Sequence, residues 1–151
     1  MALDHPAMRA MEARDVEAAR HVLGQLTGHA MSAAEMHNRL DYAINSPIDW
    51  LYVCEVAGAV VGVLGFRLRE QLERVGRYGE IYLIVADCAV RRQGVGRVMM
   101  AYAEDLARQH DCAGTWLVSG FKRQDEAHRF YAQLGYEPTG YRFVKHFEVD
   151  G

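Results

Sequence analysis

Seven consecutive residues, Arg91-Arg92-Gln93-Gly94-Val95-Gly96-Arg97, hold three guanidinium groups and two glycines. An apolar run, EIYLIVADCAV, precedes them, and an amphipathic stretch, VMMAYAEDLARQ, follows. A strand that passes through a short basic turn into a helix suits an anion. The first turn of a helix has N–H groups without partners inside the helix, and the dipole there is positive. Gly94 and Gly96 lack a Cβ, so phosphate oxygens can come close to those amides, and Arg91, Arg92 and Arg97 add charge. Taken alone, a solvated basic loop accounts for the same composition. Two common phosphate motifs are excluded. A P-loop needs Gly-Lys-Ser/Thr, whereas Gly96 is followed by Arg97 and Val98. A dinucleotide fingerprint needs a third small residue where Met99 stands.

The elements that must position this turn are legible in the hydrophobic pattern. AMRAM reads as a short first strand. Asp15 is placed to cap a helix running to about Leu26, with Val16, Ala19, Val22, Leu23 and Leu26 on one face. Ser32 to Glu35, SAAE, is a capping-box pattern that starts a second helix reaching about Ile44. From Asp49 the sequence turns β-branched and aromatic, with a break at Ala57-Gly58 that reads as a hairpin. YGEIYLIVADCAV is a further strand. From Gly94 onward, Val95, Val98, Met99, Tyr102 and Leu106 fall on one helical face. AGTWLVSG predicts a strand, DEAHRFYAQL a helix and GYRFVKHFEV a final strand. The order β-α-α-β-β-β-α-β-α-β predicts an α/β domain whose sheet is mixed, with hairpins first and helical crossovers later.

Composition bounds what such a chain can do. Its 151 residues are the size of one domain, 1–151, and no linker or repeat divides them. Half the residues are apolar and the net charge is −3, which argues against a general nucleic-acid binder. No window has the run of apolar residues that a membrane span requires, and the first residues lack a signal-peptide pattern. Cys54, Cys88 and Cys112 form no CxxC pair, so reduced, mostly buried thiols in a cytoplasmic protein are expected. His21, His29 and His37 do not form HExxH, and no metal is expected.

The motifs together resemble those of the GNAT superfamily of acetyl-coenzyme A-dependent N-acetyltransferases. RRQGVG is similar to its Arg/Gln-x-x-Gly-x-Gly/Ala signature, AHRFYAQLGYEPTGYRF to its Ala-x-x-Phe-Tyr helix and final strand, and VEAARHVLGQL to its first helix. The resemblance covers nearly the whole chain. It implies a GNAT fold: a single mixed, mostly antiparallel sheet of about six to seven strands flanked by about four helices. It implies acetyl-CoA as the acetyl donor, with the pyrophosphate wrapped by Arg91, Arg92, Gln93, Gly94, Val95, Gly96 and Arg97. Backbone of Ile84, Val85 and Ala86 would then pair with the pantetheine amides. Gln124 stands where the family often carries an asparagine that contacts coenzyme A, which leaves that contact in doubt.

Acetyl transfer from a thioester to an amine has two proton problems. An alkylamine with pKa near ~10.4 is mostly protonated at neutral pH, and a thiolate leaves more readily when an acid supplies a proton. The resemblance implies Glu80 as the base, because the histone-acetylating branch carries its glutamate at the same spacing before the signature; a solvated glutamate at a strand start is the alternative. It implies Tyr131 as the acid, from the Phe-Tyr position of the late helix, against a purely packed aromatic. A small-molecule primary amine attacking directly in a ternary complex is the expected acceptor. The C-terminal half is particularly similar to the aminoalkylphosphonate N-acetyltransferases, and Arg67, Arg69, Arg74 and Arg77 offer charge for an anionic amine. Acetylation of a protein lysine or N-terminal amine, or a non-catalytic acetyl-CoA-binding regulatory module, are the alternatives. No nucleic acid or membrane partner is expected, and the family's frequent dimers make a homodimer compatible.

Overall fold

The computed structural model describes residues 5–90, 93–119 and 124–148. They fall into two compact units, Met1–Leu117 and Val118–Gly151. In the first unit, strand β1 (Ala7–Ala10) is followed by helices α1 (Val16–Thr27) and α2 (Ala33–Asn45). Strands β2 (Asp49–Val56), β3 (Ala59–Glu70) and β4 (Arg77–Ala86), helix α3 (Val95–Gln109) and strand β5 (Gly114–Leu117) complete it. The second unit carries helix α4 (Gln124–Gln133).

The sheet has the order β1-β2-β3-β4-β5. Its first three pairings are antiparallel and the β4–β5 pairing, joined through α3, is parallel. The β2–β3 hairpin turns on Ala57 and Gly58, both at positive φ, as a tight turn matching strand twist requires. Helix α2 starts as its sequence predicts: Ser32 Oγ accepts from the Glu35 N–H at 3.1 Å, and Glu35 returns the bond at 3.2 Å. Asp15 departs from expectation. Its side chain does not cap α1; it accepts the Glu12 N–H at 2.8 Å and takes Arg9 in a fork at 2.6 and 2.7 Å.

One face of the sheet is covered by α1 and α2, through Val16, Ala19, Val22, Met36 and Leu40 against Leu51, Val53, Val63 and Val85. The alternate residues face α3: Met99 Sδ lies 2.9 Å from where a Cβ on Gly62 would stand. Helix α3 buries Val95, Met99, Met100, Ala103, Leu106 and Ala107, so its apolar stripe is wider than predicted, with Val98 and Tyr102 at its margin. Leu26 is exposed, because α1 ends one residue later and turns away at Gly28.

Two expectations are corrected. Among the described residues the sheet has five strands, not six to seven. The final strand predicted at GYRFVKHFEV is absent from the described residues, and Tyr141, Phe143 and Phe147 are exposed. Alternation gives a segment a strand-like face, but a strand exists only with a ladder partner, and 136–148 has none among the described residues. The cysteines also differ from expectation: Cys54 is buried, Cys112 half-buried and Cys88 exposed, all as free thiols.

Candidate active site

Strand β4 is paired along its whole length with β3 but only along its first half with β5. The parallel ladder runs from Tyr78↔Gly114 to Ile81↔Leu117 and stops, while β4 continues to Ala86. The outer edge of Tyr82 to Ala86, including the predicted Ile84, Val85 and Ala86, therefore has no strand beside it among the described residues. Main-chain amides and carbonyls on such an edge are ready to pair with another amide-bearing chain.

That edge leads into the basic turn. Arg91 and Arg92 lie outside the described residues. Gly94 is the N-cap of α3 at φ +83, and among the described residues no heavy atom beyond its chain neighbours lies within 4 Å of where its Cβ would stand. Val95 points its side chain into the core, so only its backbone is available to a ligand. Gly96 and Arg97 occupy the first turn of this 15-residue helix, whose N-cap has no side-chain hydrogen bond. The first-turn N–H groups of α3 have no partners inside the helix, as at any helix start. Gln93 is exposed beside them and donates its N–H to the Val90 carbonyl at 3.3 Å.

A clamp from α1 holds the start of this crossover. The Gln25 amide donates to Asp87 Oδ1 at 3.1 Å and accepts from the Cys88 N–H at 2.8 Å. Asp87 Oδ1 also accepts the Ala89 N–H at 3.0 Å, and this bond, with that from Gln25, lowers the carboxyl's pKa. Gln25 spans 62 residues of sequence to do this, which no local pattern announces.

Glu80 lies at the other end of β4, in a row across three strands. Asp49 of β2 is opposite Arg67 of β3, and Arg67 is opposite Glu80 of β4. Asp49 is fully buried and its carboxylate bonds the Arg67 Nε and, at 2.7 Å, the Ser46 hydroxyl. Burial opposes ionisation of Asp49, but Ser46 and Arg67 outweigh it and hold its pKa below the ordinary carboxylate range. Arg67 Nη1 then stands 3.6 Å from Glu80 Oε1, and Arg69 Nε stands 4.0 Å from the same oxygen. The Glu80 side chain is 13% exposed, and its Oε1 is buried without a hydrogen-bond donor. The row shares its sheet face with Leu51, Val53 and Val63, beneath α1 and α2.

Tyr82 borders the row. A bulge opposite Gly65/Phe66 breaks the register there, and the Tyr82 ring lies over Gly65, 2.5 Å from where a Cβ would stand. Its hydroxyl donates to the Trp50 carbonyl at 3.3 Å, Arg67 stacks 4.6 Å from its ring centre, and burial pushes its pKa up to about 12. A groove of about 590 Å³, lined by Arg39, Tyr42, Asn45 and Asp49 among others, adjoins the row through Asp49. In the second unit, Tyr131 packs edge-on against Phe130 and Tyr136, with ring centres 5.2 and 6.2 Å away. Burial raises its pKa. Gln124 is the first residue of α4, and its side chain lies outside what is described. Among the described residues no three His, Cys, Asp or Glu side chains gather as a metal site, and no helix is long and apolar enough to cross a membrane.

The profile of the acetyltransferase (GNAT) family matches residues 17–136. This chain belongs to the GNAT family. Among curated proteins, it is 38% identical over 88 residues to an aminoalkylphosphonate N-acetyltransferase of Salmonella typhimurium, covering 58% of this chain and 56% of that protein. The match thus spans little more than half of the relative's length. Among solved structures, a transcriptional regulator from Bacillus halodurans superposes with a TM-score of 0.86 at 22% identity, covering 95% of this chain and 100% of the other. The aminoglycoside N-acetyltransferase AAC(6′)-Iy in complex with CoA has a TM-score of 0.81 at 15% identity, with 97% of each chain covered. At those identities the structural likeness establishes the GNAT fold alone.

Sequence reasoning missed Asp49, Arg67 as its partner, and Gln25. A signal for Asp49 was present: it shares strand parity with Leu51 and Val53, which places a carboxylate on the inward face. A charge there requires a partner, and Arg67 is the cation in register.

Proposed function

We propose that this GNAT domain, taken as 1–151, moves an acetyl group from acetyl-CoA to the primary amine of a small molecule by direct attack in a ternary complex. The observation that carries the reading is Glu80, a largely buried carboxylate whose Oε1 has no donor, on the family's acyl-side strand. A buried acceptor without a hydrogen-bond donor calls for an explanation, and a catalytic role is one that fits Glu80 here. The fit of acetyl-CoA rests on the clear space above Gly94 and on the unpaired edge of β4. Acetyl-CoA supplies a thioester whose carbon–sulfur bond breaks as the carbon–nitrogen bond to the amine forms, releasing the free thiol.

The chain's residues would divide the remaining work. First-turn amides of Gly94 to Arg97 bind pyrophosphate oxygens, and Arg91 and Arg92 add charge. Main-chain groups of Ile84 to Ala86 align the pantetheine amides along β4. Glu80 takes the proton that the amine must lose. Tyr131, assigned from its place in the Phe-Tyr motif, holds a proton at neutral pH and can give it to the departing sulfur. The curated relative's substrate supports a small aminoalkyl acceptor over a protein lysine. Thiol release from acetyl-CoA over a panel of small amines and lysine peptides tests the reading. Turnover with small amines that falls in Glu80→Gln is expected. Turnover with lysine peptides alone would refute the small-molecule acceptor.

A further inference from the structure

Four arginines cluster in sequence around the β3–β4 connection, and the structure separates their roles. Arg67 is committed to buried Asp49. Arg77 donates to Glu70 and to the His110 carbonyl, the latter at 3.0 Å, which ties β4 to the end of α3. Arg74 donates to Gln71 within its own loop. Arg69 differs from all three. It lies two residues beyond Arg67 on the same face of β3, is 53% exposed, and its described polar contact is the long 4.0 Å approach to Glu80.

Resting on the acetyltransfer reading above, we infer that the acceptor is a primary amine that also carries an anionic group, and that Arg69 selects it by binding that group. The charges of the row lead to this. Asp49 and Arg67 compensate each other in the buried part of the sheet. That leaves Glu80, largely buried, with the exposed Arg69 at the outer end of the row beside it. When Glu80 takes the amine's proton it becomes neutral, and Arg69 is left beside it without a counter-charge. A phosphonate, sulfonate or carboxylate on the acceptor's carbon chain restores the balance, and the planar guanidinium offers two parallel N–H groups to such an oxyanion. Two guanidiniums near the amine also disfavour its ammonium form, which helps the nitrogen become a nucleophile. A cationic tail, as in a diamine, would meet Arg69 as a like charge. Specificity then arises by repulsion as well as attraction.

The test compares two-carbon acceptors that differ only in the tail: 2-aminoethylphosphonate, taurine, β-alanine, neutral n-propylamine and cationic ethylenediamine. Wild-type protein should show the lowest acceptor KM with an anionic tail, and the order among the three anions identifies which oxyanion is preferred. Arg69→Gln should cut the preference for anionic over neutral tails about tenfold or more, as loss of one charge-assisted bond implies. Its effect should fall on acceptor KM, with the KM for acetyl-CoA unchanged, and Arg69→Lys should restore part of the preference. Arg69→Glu should move the preference toward ethylenediamine. Equal losses for all tails in Arg69→Gln, or no tail preference in the wild type, would overturn this inference while leaving the acetyltransfer reading intact. No turnover with any amine would overturn the acetyltransfer reading and this inference with it.

Discussion

Replacing Gly94 with tryptophan separates the turn's structural role from its binding role. Gly94 sits at φ +83, and among the described residues no heavy atom beyond its chain neighbours lies within 4 Å of where a Cβ would stand, so the substitution meets backbone strain but no wall there. An L-residue held in the left-handed region costs about 1–2 kcal/mol. For a chain of this length each kcal/mol lowers Tm by about 2–4 °C, giving a drop of about 2–8 °C. Gly58, in the β2–β3 turn, provides a matched control: its φ is +78 and its Cβ space is equally clear. Gly58→Trp should therefore lose a similar few degrees by differential scanning fluorimetry. The two should part in acetyl-CoA titration calorimetry. The indole at position 94 fills the space assigned to the pyrophosphate and should weaken binding at least tenfold, about 1.4 kcal/mol or more. Gly58→Trp should bind as the wild type does. Wild-type affinity in Gly94→Trp, or equal loss in both variants, would refute the assignment of that space.

Removing the α1 clamp with Gln25→Ala should raise the KM for acetyl-CoA several-fold while kcat holds, because the crossover loses its two bonds to Asp87 and Cys88; a fall in kcat at unchanged KM would contradict this. Glu80→Gln should lower kcat by about 10²–10⁴-fold in a steady-state thiol-release assay, as expected for loss of a general base; an unchanged kcat would contradict the assignment. Stability should also depend on Asp15. Its carboxyl pKa is depressed, chiefly by the bonds from Arg9. Its contribution is therefore complete above the unfolded-state value near ~3.9 and is lost as pH falls through the lower folded-state value. Urea denaturation should show Asp15→Asn less stable than the wild type at pH 7, with the gap closing at acid pH; a gap that widens on acidification would contradict the ion pair.

Much of this architecture was legible because local pattern and tertiary role agree. Apolar parity marks β2 and β3, the Ser32–Glu35 box marks the start of α2, and the glycines mark the entry to α3. The final strand was not legible in the same way. Tyr141, Phe143 and Phe147 alternate as a strand face would, but alternation says nothing about whether a partner edge is present. The acid–base row was hidden for a related reason. Asp49, Arg67 and Glu80 are 18 and 13 residues apart, and only the register of two hairpin pairings sets them side by side. A charge on an inward parity is visible in a sequence; the strand position that answers it is not. Glu80 was found through its spacing from the signature, whereas the two arginines that surround it needed the sheet.

The central claim is that the chain transfers the acetyl group as well as holding its donor. Mass spectrometry of a reaction containing the protein, acetyl-CoA and 2-aminoethylphosphonate, with free thiol measured in parallel, tests it most directly. N-acetylated amine and free thiol are expected in equal amounts, both strongly reduced in Glu80→Gln. Acetyl-CoA bound by calorimetry, with neither product formed from this or any other primary amine, would contradict it and identify the domain as a sensor of acetyl-CoA.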